Sequence, residues 1–321
     1  MIRILAYRFS AFGDVAMTAP VFREVLEQNP DLEIVLVSRN NFRDLFEGIP
    51  NLIFKGIDID DYKGFFGMRK LSNELIKEFN PDFIADLHNV IRTKILDTIF
   101  KKRGFKISVL DKGKEEKEQL TDIWKLDKNP LQPTTERYAE VFRELGFPVT
   151  LSHQYRPKST IKSGIGFAPF AQHRGKMLPL EKSFEVAKLL SKKHRIFFFG
   201  GGKSEVNTLN EWVNQIPNTE NFAGKLTLKE ELQKISELET MISMDSANMH
   251  LASLVGTRCV SVWGSTHHFA GFLGYGQSID DIVQVKDLTC RPCSVFGDKE
   301  CYRGDWACLE EIDIQRIIDK I

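Results

Sequence analysis

The sequence has no excess of either charge: Lys+Arg and Asp+Glu both number 44 in 321 residues. A nucleic-acid partner is therefore not expected, because phosphate contacts demand a basic face, and any basic surface must be local. No uninterrupted apolar run approaches the ~20 residues that cross a bilayer. The chain opens directly on Ile2-Arg3-Ile4-Leu5-Ala6-Tyr7, a buried-strand pattern. A secretory leader would show a charged start, a long apolar core and a small-residue cleavage site, so a cytosolic protein is the expectation. Cysteine is scarce, five in all, with four close to the C-terminus. In a reducing cytosol such residues are thiols or metal ligands rather than disulfides. Internal repeats and low-complexity segments are absent.

What is present is ordinary for a globular protein, with 42% hydrophobic and 27% charged residues. The length exceeds what one core usually serves, so two α/β domains are expected. Apolar runs at 2–7, 33–37, 82–86, 106–109, 164–168, 195–199, 240–244 and 258–262 read as strands. Amphipathic stretches at 15–28, 134–145, 181–192, 204–215 and 228–236 read as helices between them. That alternation predicts parallel sheets covered on both faces. The stretch 150–163 is polar, contains Pro157 and lacks either periodicity, so the expected domains are 1–155 and 156–321. Two doubly wound domains would face each other across a cleft, with ligands outside the carboxyl ends of their strands.

The loops at those ends carry the candidate chemistry. Arg8-Phe9-Ser10-Ala11-Phe12-Gly13-Asp14 follows the first strand, where Asp14 is either a helix N-cap or a carboxylate able to take a proton from an attacking hydroxyl. Ala168 to Lys176 ends in a small basic loop before Pro179, but without the Gly-x-x-x-x-Gly-Lys-Ser/Thr spacing of a Walker A loop. Gly200-Gly201-Gly202-Lys203-Ser204-Glu205 frees backbone to approach a ligand without matching Gly-x-Gly-x-x-Gly. Glu205 is favoured near a helix start in any case, and it could also accept from ribose hydroxyls. Asp245-Ser246-Ala247-Asn248-Met249-His250 opens a helix whose amides would face an anion, a diphosphate being the natural occupant. Taken singly, His250 reads as a satisfied core histidine. Val262-Trp263-Gly264-Ser265-Thr266 ends a strand in small hydroxylated residues suited to phosphate oxygens or to a plain turn.

In their order, these motifs resemble those of family 9 glycosyltransferases, the bacterial ADP-heptose:lipopolysaccharide heptosyltransferases. The likeness runs from residue 2 to beyond 308 and takes in Asp86-Leu87-His88 and Arg92-Thr93. The resemblance implies a GT-B fold of two Rossmann-like domains, the first receiving the acceptor and the second holding the nucleotide sugar. It implies Asp14 as catalytic base, Lys176 facing the donor diphosphate, and Glu205 on the nucleotide ribose. Asp245, Ser246, Ala247 and Asn248 would form the phosphate-binding helix start, with His250, Thr266, Gly201 and Gly202 also on the donor side. Arg8, Ser10, Gly13, His88 and Arg92 would line the acceptor side. The implied reaction inverts the anomeric centre, uses an ADP-sugar as co-substrate and needs no cofactor; no Asp-x-Asp stands where a manganese-dependent transferase would carry it. A glycolipid acceptor implies peripheral contact with the cytoplasmic face of the inner membrane. Three residues depart from the family pattern near the donor: Ala247 for Gly, His267 for Pro, and Phe170 for a small residue.

Two features stand apart. Cys290, Cys293, Cys301 and Cys308 could surround a structural zinc, although only the first pair has ligand-like spacing. Tyr62 to Lys70 and the run Lys101 to Lys106 mix cations with aromatics, reading either as solvated loop or as a surface for anionic headgroups. Rival readings are an epimerase or hydrolase on the same scaffold and a non-catalytic nucleotide-sugar-binding protein.

Overall fold

A computed structural model describes residues 1–159 and 161–321. The first elements are β1 (Ile2–Tyr7), α1 (Phe12–Gln28), β2 (Leu32–Arg39), β3 (Leu52–Ile57), α2 (Gly64–Phe79), β4 (Phe83–Asp86), α3 (Ile91–Lys102) and β5 (Lys106–Val109). Next come α4 (Lys114–Leu120), α5 (Thr134–Leu145), β6 (Ile165–Ala168), α6 (Leu180–Leu190), β7 (Ile196–Phe198), α7 (Lys203–Gln215) and β8 (Thr219–Asn221). The chain ends with α8 (Leu228–Ser236), β9 (Thr240–Met244), α9 (Ala247–Val255), β10 (Arg258–Trp263), β11 (Ile282–Gln284), α10 (Ala307–Glu310) and α11 (Gln315–Ile318).

Two compact units result. One comprises Met1–Gly113 with Gln132–Ser152, the other Lys114–Leu131 with His153–Ile321. The expected boundary at 155/156 lies just past Ser152/His153, while Lys114–Leu131, inside the expected first domain, belongs to the second unit. That segment is fastened there by several contacts. Leu120 is buried, the Lys117 ammonium lies over the Phe272 ring at 4.6 Å, and the Leu131 amide donates to the Phe269 carbonyl at 2.8 Å.

The first unit's sheet runs β3-β2-β1-β4-β5, with every pairing parallel. Its central strands β1 and β2 are nearly continuous apolar runs because helices cover both faces. Leu5, Tyr7, Val35, Val37 and Phe100 share one buried cluster. Within this unit α2 occupies what reads in sequence as a basic aromatic loop: Met68, Leu71, Leu75 and Phe79 form its buried face at helical spacing. Phe65 and Phe66 remain exposed at its start.

In the second unit the order is β11-β10-β9-β6-β7-β8, again wholly parallel. Counted from β6 this is the 3-2-1-4-5-6 order of a Rossmann sheet, and the first unit has the same order without its sixth strand. Its core is aromatic, with Phe198 meeting Trp212 edge-to-face at 5.7 Å over Phe167 and Ile242. In both sheets the order reverses beside the first strand, between β1 and β4 and between β6 and β9. The crevice outside the carboxyl ends of those strands is where such sheets bind ligands. Among the described residues, no helix is long and apolar enough to cross a membrane.

Candidate active site

In the first unit the switch point is formed by the loops after β1 and β4. Asp14 is not the N-cap of α1: Ala11 holds that position, and Asp14 sits in the first turn. Its carboxylate Oδ2 pairs with Arg8 Nη2 at 2.7 Å, and Oδ1 has no hydrogen-bond partner among the described residues. Arg8 is itself buried, donates to the Leu87 carbonyl, and lies over the Tyr138 ring at 5.4 Å. The loop after β4 is held from below, because Asp86 Oδ1 accepts from the amides of His88 at 2.7 Å and Asn89 at 2.8 Å. His88 meets the Phe9 amide at Nδ1 (3.5 Å) and Ser10 Oγ at Nε2 (3.3 Å). Accepting at Nδ1 puts the proton on Nε2, which then donates to Ser10. Burial, reinforced by the Arg8 charge, pushes the imidazole down to about 3, so His88 is neutral. Gly13 is the second residue of α1, and Arg92 is the second of α3, where its charge also bears on His88. Deeper in the unit, Tyr7 Oη donates to Asp97 Oδ1. Burial and the neighbouring Asp86 push the Asp97 carboxyl up to about 7.

In the second unit the loops after β6, β9 and β10 converge. Lys176 Nζ pairs with Asp245 Oδ2 at 3.0 Å, and Thr266 Oγ1 donates to the same oxygen at 2.8 Å. Asp245 is buried, while Lys176 keeps part of its side chain exposed. Ser246 is the N-cap of α9, yet its side chain makes no cap bond; its Oγ lies 3.2 Å from Ser243 Oγ instead. The first-turn amides of α9, starting at Ala247 and Asn248, therefore lack the usual capping oxygen. His250 is buried one turn further on. On the neighbouring strand end, Glu205 Oε2 accepts from the Gly201 amide at 2.8 Å and the Gly202 amide at 3.4 Å. The helix-start role of Glu205 is thus realised, and Oε1 has no partner among the described residues.

Sequence reading passed over Gly175 and Gly297 as residues that lock this network, and read Ser265 as a phosphate contact or a plain turn residue. Gly175 approaches the β10 loop so closely that a Cβ would sit 2.3 Å from Ser265 Oγ and 2.8 Å from the Gly297 carbonyl. Ser265 donates to the Gly175 carbonyl from both its amide (2.7 Å) and its hydroxyl (2.9 Å). Gly297 has φ +76° and lies against the Lys176 stem, where a Cβ would meet Cγ at 2.6 Å. The departures find uses too. His267 Nδ1 accepts from the Phe269 amide at 3.1 Å, and Phe170 packs on the core.

The four C-terminal cysteines line one small cavity together with Arg291 and Trp306. All are free thiols, and burial holds Cys293 and Cys308 above the usual thiol range, Cys308 at about 12. Among the described residues, no three His, Cys, Asp or Glu side chains are arranged to hold a metal ion.

Two units, each with a sheet in the Rossmann strand order, make this a GT-B fold, and their switch points carry an ion-paired carboxylate in one unit and a lysine beside a helix start in the other. The chain belongs to glycosyltransferase family 9 (heptosyltransferase), whose model matches residues 68–302, and it is a glycosyltransferase. It is 24% identical over 319 residues to lipooligosaccharide heptosyltransferase 2 of Campylobacter jejuni, covering 96% of this chain and 93% of that protein. Its fold is shared with a glycosyl transferase family 9 structure from Veillonella parvula (TM-score 0.73, 18% identity, 99% and 95% of the chains). The E. coli ADP-heptose lps heptosyltransferase II is also similar (TM-score 0.70, 19% identity, 99% and 97%). The family and fold expected from the ordered motifs are those found.

Proposed function

We propose that the protein is an inverting, metal-independent transferase that moves a heptose, or a related sugar, from an ADP-sugar onto a lipopolysaccharide core or lipid A-type acceptor. The observation that carries this reading is the network of Lys176, Asp245 and Thr266 before the uncapped start of α9. A sugar nucleotide already has a good leaving group, so catalysis must stabilise a departing diphosphate and activate a hydroxyl. Lys176 and the α9 amides supply positive potential for the first task. Asp245, a carboxylate that would repel phosphate, holds Lys176 in place with Thr266 rather than touching the donor itself. Gly201, Gly202 and the unengaged Oε1 of Glu205 suit the nucleoside, the oxygen accepting from ribose hydroxyls.

For the second task Asp14 takes the acceptor proton as the hydroxyl oxygen bonds to the anomeric carbon and the bond to the diphosphate breaks with its electron pair. Attack opposite the leaving group inverts the centre. Arg8 fixes the carboxylate, and Ser10, Gly13, His88 and Arg92 surround the acceptor. The glycolipid's headgroups would be met from the exposed Phe65 and Phe66 among the cations of α2.

A calorimetric screen of ADP-, UDP- and GDP-sugars tests the donor. Preference for the ADP series is expected, and preference for another base sinks the ADP-heptose reading. Release of ADP should require acceptor; release at the same rate without it would make the protein a hydrolase.

A further inference from the structure

The loop that carries Thr266 does not hold its own shape. Its carbonyls are gathered by one side chain from far along the chain. Arg291 is 8% exposed, donates from Nε to the Gly264 carbonyl, and reaches from Nη2 to the carbonyls of Thr266 at 2.8 Å and Trp263 at 3.4 Å. Nη2 also meets Gln284 Oε1 at 2.8 Å, and Nη1 donates to the Val285 carbonyl at 2.9 Å, on and just after β11. Its neighbours brace the same loop, with the amide of Cys293 donating to the Ser265 carbonyl at 3.1 Å. Every acceptor around Arg291 is neutral, and among the described residues no carboxylate lies within ion-pair distance of it. A buried charge without a counter-charge is costly, and a neutral donor would staple a loop more cheaply. The arrangement makes sense where an anion arrives. The carbonyl oxygens of the loop are engaged by the guanidinium, and its net positive charge stays uncancelled.

We propose that Arg291 is a positioning residue for the donor diphosphate. It fixes the Trp263–Thr266 loop that holds Thr266 on Asp245, and through Asp245 it sets Lys176, while its uncompensated charge raises the potential there. This inference rests on the reading of that network as the diphosphate site, so its test separates the two.

Calorimetric titrations with ADP and with AMP make the separation, because only ADP presents the second phosphate. The wild-type protein is expected to bind ADP more tightly than AMP, and to lose that preference in Lys176→Ala. A wild type without the preference removes the underlying reading and this inference with it. Arg291→Gln is expected to weaken ADP binding by about tenfold while AMP changes by less than about twofold, the loss of one charge-assisted set of contacts. Arg291→Lys, which keeps the charge but not the five-donor fork, should recover part of the preference. An ADP preference unchanged in both variants overturns the proposal, as does an equal loss of ADP and AMP binding, which marks a staple for the fold alone. Should Arg291→Gln fail to fold, Arg291→Lys decides: a reduced ADP preference supports the role and an unchanged one overturns it.

Discussion

The carboxylate of Asp14 is poised by an arginine that is buried, braced by a carbonyl and stacked over a tyrosine ring. If it removes the acceptor proton, Asp14→Asn should cut turnover by roughly 10²- to 10⁴-fold, the usual contribution of a general base. Donor binding should be unchanged. Turnover assays beside calorimetry read both, and undiminished turnover would remove Asp14 from that role. A second residue-scale expectation concerns Asp97, whose carboxyl is lifted to about 7. The native state then keeps a proton that the unfolded chain releases above about pH 4, so this group's contribution to stability falls as pH rises from ~4 to ~7 and levels off beyond. Relative to Asp97→Asn, the wild type should lose on the order of a few kcal/mol across that window. A stability difference between the two proteins, from urea unfolding, that stays constant between pH 4 and 8 would contradict it. Asp14, Lys176 and Asp245 could be singled out in the sequence because each lies in the loop or first helical turn that follows a strand that could be read. Arg291 was not: its partners are backbone carbonyls of a distant loop, and no side-chain pattern marks a carbonyl as an acceptor.

At the scale of elements, the start of α9 and a tight loop contact shape the second unit's switch point. Gly175→Ala would drive a methyl into Ser265 Oγ and the Gly297 carbonyl, so a loss of about 1–3 kcal/mol of stability is expected, the usual cost of overpacking. Because Gly175 precedes Lys176, nucleotide affinity should fall with it; calorimetry on the folded variant showing wild-type affinity would sever that link. The exposed pair at the start of α2 gives another expectation, that Phe66→Ser lowers co-sedimentation with anionic liposomes. Equal sedimentation of both proteins would withdraw α2 as the membrane face. The strands that the sequence did not reveal, β3, β8 and β11, all lie at sheet edges. An edge strand is covered less, so it needs no continuous apolar run; Thr219-Glu220-Asn221 looks like a turn until its neighbour pairs with it. Helix α2 was hidden differently, by glycines and cations that mask a regular apolar face.

For the molecule as a whole, if Lys176 and backbone amides compensate the charge of the proposed diphosphate, exhaustive treatment with a chelator should leave turnover unchanged. Activity lost on chelation and restored by a divalent cation would overturn metal independence. The sequence read out the two-sheet plan because alternating apolar strands and amphipathic helices recur along nearly its whole length. What it could not show is that the polypeptide passes between the units at Gly113/Lys114, Leu131/Gln132 and Ser152/His153. Two modules strung on one linker could be exchanged among relatives by a single splice. Here a splice near residue 153 would leave behind α4 and the segment up to Leu131, together with the residues that cover Phe272 and bond to Phe269. A chimera that borrows the second unit must therefore also borrow an insert from the middle of the first, or begin with a bare apolar surface.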